Sequence, residues 1–318
     1  MKRILITLAT LFAVLAAQAQ EAEYGVVNIS VCNMRATANF DAEMVSQALL
    51  GTPVHILQIS DNGNPWPEVQ TPDNYTGWVH YAAITRMKWE DYHAWNAAPK
   101  VVVTALYGTV YQSPSRRSPA ISDIVGGDRL KLLGRQGCWL KVGFPDGREG
   151  YVHKTDALPE ADWRKQLDKS PEAILKTAKS MLGTPYIWAG MSPKGTDCSG
   201  FVRAVLFMHD IIAPRDAGPQ SRVGVRIMDR EQLLPADLVF FGRWDEEGNP
   251  RVSHVGFYLG DGRFIHSMGL VQIGSFNPED PQYDAFNTGR YLFGGSILPF
   301  VDIHEGLNTT LSNPYYAE

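Results

Sequence analysis

The chain is short of cysteine, with three in 318 residues: Cys32, Cys138 and Cys198. No C-x-x-C, H-x-x-x-H or H-E-x-x-H spacing occurs, so the common zinc patterns are missing and neither a metal nor another cofactor is expected. An odd count leaves at least one free thiol. Cys32 and Cys138 read as small buried core residues, and a bridge between them stays open. Positive charge is not in excess: 29 Lys and Arg face 34 Asp and Glu, a net charge of -5. Without a basic stripe to neutralise phosphates, a nucleic-acid partner is not expected. Long apolar runs are also few. Past residue 17 none has the roughly 20 residues that a bilayer needs, so stable membrane insertion is not expected.

The one apolar run, Ile4 to Ala17, follows Lys2 and Arg3 and precedes Ala17-Gln18-Ala19. Residues 1–19 therefore read as a secretory signal peptide cut after Ala19. A short membrane anchor is the alternative, but the run is too short to span well. No cysteine follows it for a lipid anchor. Removing the leader leaves 27 basic and 34 acidic residues, a net charge of -7. The mature protein is expected in the periplasm or the medium, as a monomer.

Residues 24–87 show short alternating strands with turn residues at Gly51, Asn62-Gly63 and Pro65. The same pattern returns over 98–158. Trp139, Val142, Asp146, Gly150, Val152 and His153 fall 73 residues after Trp66, Val69, Asp73, Gly77, Val79 and His80. Matches at a constant offset point to a duplicated small β-barrel, in which His80 and His153 have structural roles. Residues 88–100 link the copies. In a third domain, 165–302, Ser170-Pro171-Glu172 is a helix start, and Ile174, Ala178 and Leu182 give its buried stripe. A run of strands follows from Pro235 to Leu298, so this domain is α+β. The tail after Asp302 is polar and expected to be loosely held.

Chemistry concentrates at Asp197-Cys198-Ser199-Gly200-Phe201, ahead of an apolar helical run. A cysteine at a helix start meets unpaired N–H groups and the positive end of the dipole. Both favour the nucleophilic thiolate. A thiol nucleophile needs a base. His254 and His266 lie on neighbouring strands across the turn Gly260-Asp261-Gly262, so one imidazole can take the proton while the other orients it. Each has a plainer reading: a core cysteine, a packed strand histidine, a half-exposed strand histidine. Asp197 has sufficient reason to exist as a helix cap.

Five motifs together carry a resemblance: Tyr186-x-Trp188-x-Gly190, Asp197-Cys198-Ser199-Gly200-Phe201, Ala236-Asp237-Leu238, Ser253-His254-Val255-Gly256 and Phe264-Ile265-His266. Residues 171–300 resemble the NlpC-type cysteine peptidases of bacterial cell walls, which have a papain-like fold. The duplicated modules resemble bacterial SH3-like domains. The whole is similar to γ-D-glutamyl-L-diamino-acid endopeptidases. The resemblance implies Cys198 as nucleophile, His254 as base and His266 as third member. It places Tyr186 and Trp188 at the oxyanion side and the cleft wall. Glu43, Tyr75 and Asp197 would hold the free amine of the substrate's L-Ala. Ser199 and Asp216 join the substrate-binding set, while Arg215 and Gln220 receive no role. The partner implied is a murein stem peptide, L-Ala-γ-D-Glu-diamino acid. A hydrolase of intact wall, with the modules as anchors, an inactive wall-binding protein and an acyltransferase are the other readings.

Overall fold

The computed structural model describes residues 23–317 except 62 and 64. The signal-peptide reading of 1–19, and Asn62 of the first module's turn, lie outside the described residues. Two small β modules precede an α+β domain, as the repeat and the helix-then-strand order imply.

The first module holds β1 (Glu23–Val27), β2 (Val31–Arg35), β3 (Met44–Leu49), β4 (Pro53–Ile59), β5 (Pro67–Gln70), β6 (Thr76–Trp78) and β7 (Ile84–Met87). The second holds β8 (Lys100–Val103), β9 (Tyr107–Tyr111), β10 (Ala120–Val125), β11 (Arg129–Gln136), β12 (Trp139–Gly143), β13 (Glu149–His153) and β14 (Ala157–Pro159). Their sheet orders, β3-β2-β6-β5-β4-β1-β7 and β10-β9-β13-β12-β11-β8-β14, are the same order displaced by seven strands. Equivalent residues are 76 apart in β1–β4 and 73 apart from β5 onward, because the β4–β5 connection of the first module is longer. The constant spacing in the sequence is therefore visible in the second half of each module. Trp66 and His80 meet edge-on at 5.3 Å, and Trp139 and His153 do so at 5.1 Å.

Period-two burial builds each core. Cys32, Met34, Val54, Val69 and Val79 fill the first; Val110, Leu130, Val142 and Val152 fill the second. All three cysteines are free, and Cys138 is exposed rather than buried. It occupies the tight turn after Gly137 (φ +59°) between β11 and β12, where residues 136–138 are all exposed.

The link between the modules is a helix, α1 (Trp89–Ala97), whose Tyr92 and Trp95 pack on Val26. Buried Lys100 caps its end by donating to the Trp95, Asn96 and Ala98 carbonyls. Gly51 carries the joint between the modules. Its φ is +82°, and a Cβ there would lie 2.1 Å from the Arg129 carbonyl oxygen, so a side chain does not fit. Beside it the Leu50 N–H donates to Asp128 Oδ1 at 3.1 Å, and the Arg129 N–H to the Leu50 carbonyl at 2.9 Å.

The third domain follows α2 (Glu160–Gln166) and contains α3 (Pro171–Ser180), α4 (Cys198–Met208), α5 (Ala217–Gln220) and α6 (Ala285–Thr288), and α7 (Pro314–Ala317) ends the described chain. Its strands are β15 (Met191–Ser192), β16 (Gly195–Thr196), β17 (Val225–Ile227), β18 (Leu238–Trp244), β19 (Pro250–Gly260), β20 (Arg263–Met268), β21 (Leu270–Ser275) and β22 (Tyr291–Ser296). The antiparallel sheet runs β17-β22-β18-β19-β20-β21. Helix α4 packs on β19 and β20 through Phe201, Val202, Val205 and Leu206, none of them exposed. Ser170 caps α3 by accepting from the Ala173 N–H, but Leu182 is 47 % exposed, because α3 stops at Ser180 and Leu182 lies past its last turn.

The tail is not loose. Asp302 accepts from the Thr309 N–H at 2.7 Å, and Thr310 donates to buried Asp210 at 2.6 Å. Tyr315 stacks on His55 at 4.2 Å and donates to Gln70 Oε1 at 2.8 Å. The Tyr316 ring lies under Arg129, whose guanidinium also faces Trp163 and Phe207. Polar composition had concealed two anchoring aromatics that join all three units.

Candidate active site

The start of α4 is built by close backbone packing. Asp197 is the N-cap and accepts from the Gly200 N–H at 2.6 Å. A Cβ on Gly200 would sit 1.9 Å from the Gly190 carbonyl oxygen, the same oxygen that accepts from the Asp197 N–H. Hence both motifs need their glycines. Ala189, at φ +60°, donates its N–H to Asp197 Oδ2 at 3.0 Å. The loop Tyr186–Gly190 is thus folded over the helix end, with Tyr186 and Trp188 beside Cys198 in one cavity of about 290 Å³.

Cys198 lies in the same cavity as His254 of β19, and the Ser199 and Val255 N–H groups favour its thiolate. Burial pushes the thiol up to about 11, the Asp197 charge adds to this, and those N–H groups and Arg215 oppose it. A helix end supplies about 0.3–1 kcal/mol, less than one pKa unit. Desolvation therefore wins, and the thiolate expected from the helix start is not the resting form.

His254 and His266 meet edge-on, with Nε2 of the first 2.7 Å from Nδ1 of the second. Gly256 faces His266 across the ladder, so His254 is its diagonal neighbour. A Cβ at 256 would lie 2.9 Å from the His266 Cβ, so the glycine leaves room for the two rings. Burial drives His254 down to about 3, helped by His266 and by Arg290. Burial takes His266 to about 4, against the pull of Asp284. Both rings are neutral at rest, and the Nδ1 of His254 is left to serve the thiol.

The acids divide into two kinds. Asp197 is saturated: besides the Gly200 and Ala189 N–H groups it takes Arg215 at 2.6 and 3.3 Å and the Ser199 hydroxyl at 3.3 Å. Five donors, two of them on the buried Arg215 guanidinium, hold Asp197 at the cavity wall, where an ammonium would compete with Arg215 for it. Ser199, also expected to touch substrate, is buried and accepts from Arg215 at 3.0 Å. Gln220 ties this floor together by donating to the Ser199 and Pro214 carbonyls. Asp216 and Glu43 line the cavity together with Asp197, Ser199 and Tyr75. Burial raises Asp216 above the usual carboxylate range, with Arg215 opposing. Burial, then Asp216, raises Tyr75. Burial, then Cys198, pushes Tyr186 up to about 12.

Glu43 and Tyr75 belong to the first module, which closes one end of the cavity. Trp188 Nε1 donates to the Glu43 carboxylate at 2.9 Å, the Met191 N–H to Gln47 Oε1 at 2.8 Å, and Arg203 pairs with Asp73 at 3.2 Å. Sequence reasoning left Arg215 without a role and did not single out Gln47, Arg203 or Asp284. Each acts on a partner far away in the chain, and no local spacing marks such a pair.

Comparison with known proteins finds a match for each of the three units. Residues 183–290 match the NlpC/P60 family, 34–84 the bacterial dipeptidyl-peptidase SH3 domain and 105–157 the bacterial SH3 domain. Among curated relatives, the gamma-D-glutamyl-L-lysine dipeptidyl-peptidase of Bacillus cereus is 34% identical over 235 residues, 71% of this chain and 67% of the relative. Dipeptidyl-peptidase 6 of Lysinibacillus sphaericus is 27% identical over 81% of this chain and 93% of the relative. A crystal structure of an NlpC/P60 family protein from Bacillus cereus superposes with a TM-score of 0.71 at 26% identity, over 87% of this chain and all (100%) of that one. With three units in this order, a cysteine and a histidine in one cleft and a second histidine bonded behind the first, this chain belongs to the NlpC/P60 family of cysteine peptidases, as a member preceded by two SH3 domains.

Proposed function

We propose that this chain is an exported, monomeric cysteine peptidase that hydrolyses the γ-D-Glu–diamino acid bond of murein stem peptides with a free N-terminal L-Ala, serving peptide recycling. One observation carries the reading: Glu43, Tyr75 and Asp216 share a single cavity with Cys198 and His254. Two acids and a phenol replace the water lost by an ammonium with charge-assisted hydrogen bonds. An L-Ala whose amine is acylated brings no cation, and leaves those acids unpaired. The closed end beside Glu43 thus favours free peptides over intact wall. The names of the Bacillus and Lysinibacillus relatives support the same substrate class.

In this reading the Cys198 sulfur attacks the γ-carbonyl of D-Glu while its proton passes to His254 Nδ1. The Cys198 N–H and the Tyr186 hydroxyl stabilise the oxyanion. His254, steadied by His266, then protonates the departing diamino-acid amine. Water resolves the thioester and releases L-Ala-D-Glu. Mass spectrometry of products tests this with free L-Ala-γ-D-Glu-diaminopimelate, its N-acetylated form and intact murein. Cleavage of the free tripeptide alone, absent in Cys198→Ala, is expected. Equal cleavage of the acetylated peptide or of murein would refute the amine-reading cleft.

A further inference from the structure

We propose that Asp284 is a positioning residue for the reaction: it holds His266 in the tautomer that receives the N–H of His254. The inference rests on the function proposed above. Once His254 carries the Cys198 proton on Nδ1, its Nε2 also bears hydrogen and points 2.7 Å away at His266 Nδ1. That nitrogen must accept. A neutral imidazole has one N–H, so the hydrogen of His266 must sit on Nε2. Facing Nε2 is Asp284 Oδ2, at 3.7 Å.

Asp284 is itself fixed. Its N–H donates to the Ser275 carbonyl on β21 at 3.0 Å. Its carboxylate accepts from the Asn287 N–H at 3.0 Å and from the Asn287 side-chain amide at 2.5 Å. His266 and Asp284 also line a second cavity, of about 630 Å³, separate from the substrate cleft. The carboxylate thus meets water on the side away from Cys198. Other groups facing the histidine pair are Cys198 and Arg290 on the His254 side and neutral Gln272 opposite His266 on β21. In the step itself the S–H bond breaks and an N–H bond forms at His254 Nδ1; no proton moves onto Asp284. Ordering the tautomer and balancing the imidazolium charge are its whole part.

A plain helix-cap role is separable, since Ser at 284 can still cap α6 but offers no anion. Asn would offer an NH₂ to His266 Nε2 and favour the wrong tautomer. The test compares Asp284→Ser and Asp284→Asn in the full-length protein. In Asp284→Ser, kcat should fall about tenfold, part of the ~10²–10⁴ that general base catalysis supplies, with KM within about twofold. Asp284→Asn should fall further. Loss of the anion also disfavours the imidazolium, so the acidic limb of kcat/KM should move to lower pH in both. ¹⁵N NMR should show the His266 hydrogen on Nε2 in the parent and on Nδ1 in Asp284→Asn. An unchanged kcat, or a fall with neither a moved limb nor a changed His266 spectrum, would overturn the proposal. The pH dependence of Cys198 alkylation by iodoacetamide reports the same coupling without substrate, so a mistaken substrate assignment would leave that arm intact.

Discussion

The two SH3 modules share one topology and one Trp–His pair, yet they do different work. Glu43 precedes β3 where Pro119 precedes β10, and each carbonyl accepts from an N–H at the same relative position, Ala36 or Gln112. The β5–β6 and β12–β13 loops match as well: Asp73, Asn74 and Tyr75 correspond to Asp146, Gly147 and Arg148. Asn74 and Gly147 both take positive φ, +62° and +87°. In the first module that loop faces the cleft with a phenol. In the second it turns Arg148 back to donate to the Asn28 carbonyl at 2.7 Å. Duplication supplied the frame, and two positions on it, an acid and a phenol against a proline and an arginine, separate a cleft wall from a buttress.

The comparison puts all bond-making chemistry outside both modules. Cys198→Ala is therefore expected to lower kcat by at least about 10³-fold with an unchanged thermal midpoint, checked by peptide turnover and calorimetry. Installing the second module's residue in the first, Tyr75→Arg, places a cation where the substrate ammonium is proposed to sit. A drop of about 100-fold or more in kcat/KM for the free-amine peptide should follow, near 3 kcal/mol; comparable activity on that peptide would dissolve the contrast between the loops. Glu43→Gln, which removes charge but keeps shape, should cost about tenfold, mostly in KM, and narrow the preference for free over N-acetylated peptide. The converse change, Arg148→Ala, should leave turnover untouched and stability within about 1 kcal/mol, as for exposed polar contacts.

A pH experiment sharpens the difference between cleft and modules further. Burial holds His254 and His266 at about 3 and 4, below the ordinary imidazole value of 6.5. Unfolded chains bind these protons first, so stability should fall as pH drops below about 6.5 toward 4. Replacing both histidines with Gln should flatten that part of the melting profile. An equally steep profile in the double variant would place the effect elsewhere.

Much of this was readable from residues alone. The α4 cap, the Ser170-Pro171 start, the hairpin carrying both histidines and the repeated Trp and His positions all depend on neighbours in sequence, and local spacing exposes such relations. The destination of Asp197 was not readable, because its role as cap or ligand depends on Arg215, 18 residues away, folding back upon it. The resting state of Cys198 was misjudged for a similar reason: the helix start is local and visible, whereas the desolvation that outweighs it comes from the assembled cleft. The Leu182 assignment failed by one helical turn, and Cys138 by lying in a turn rather than a strand.

The anchored tail has a consequence for the order of synthesis. Module one and the cleft walls leave the ribosome before residues 302–317 do. Yet Asn313 donates to the Pro72 carbonyl, and Tyr315 grips Gln70 and the end of α1. The end wall proposed to read the free amine is thus clamped from behind by a segment made after Cys198, His254 and His266. A nascent chain can thus hold the proposed catalytic set before the wall proposed to select its substrate is latched.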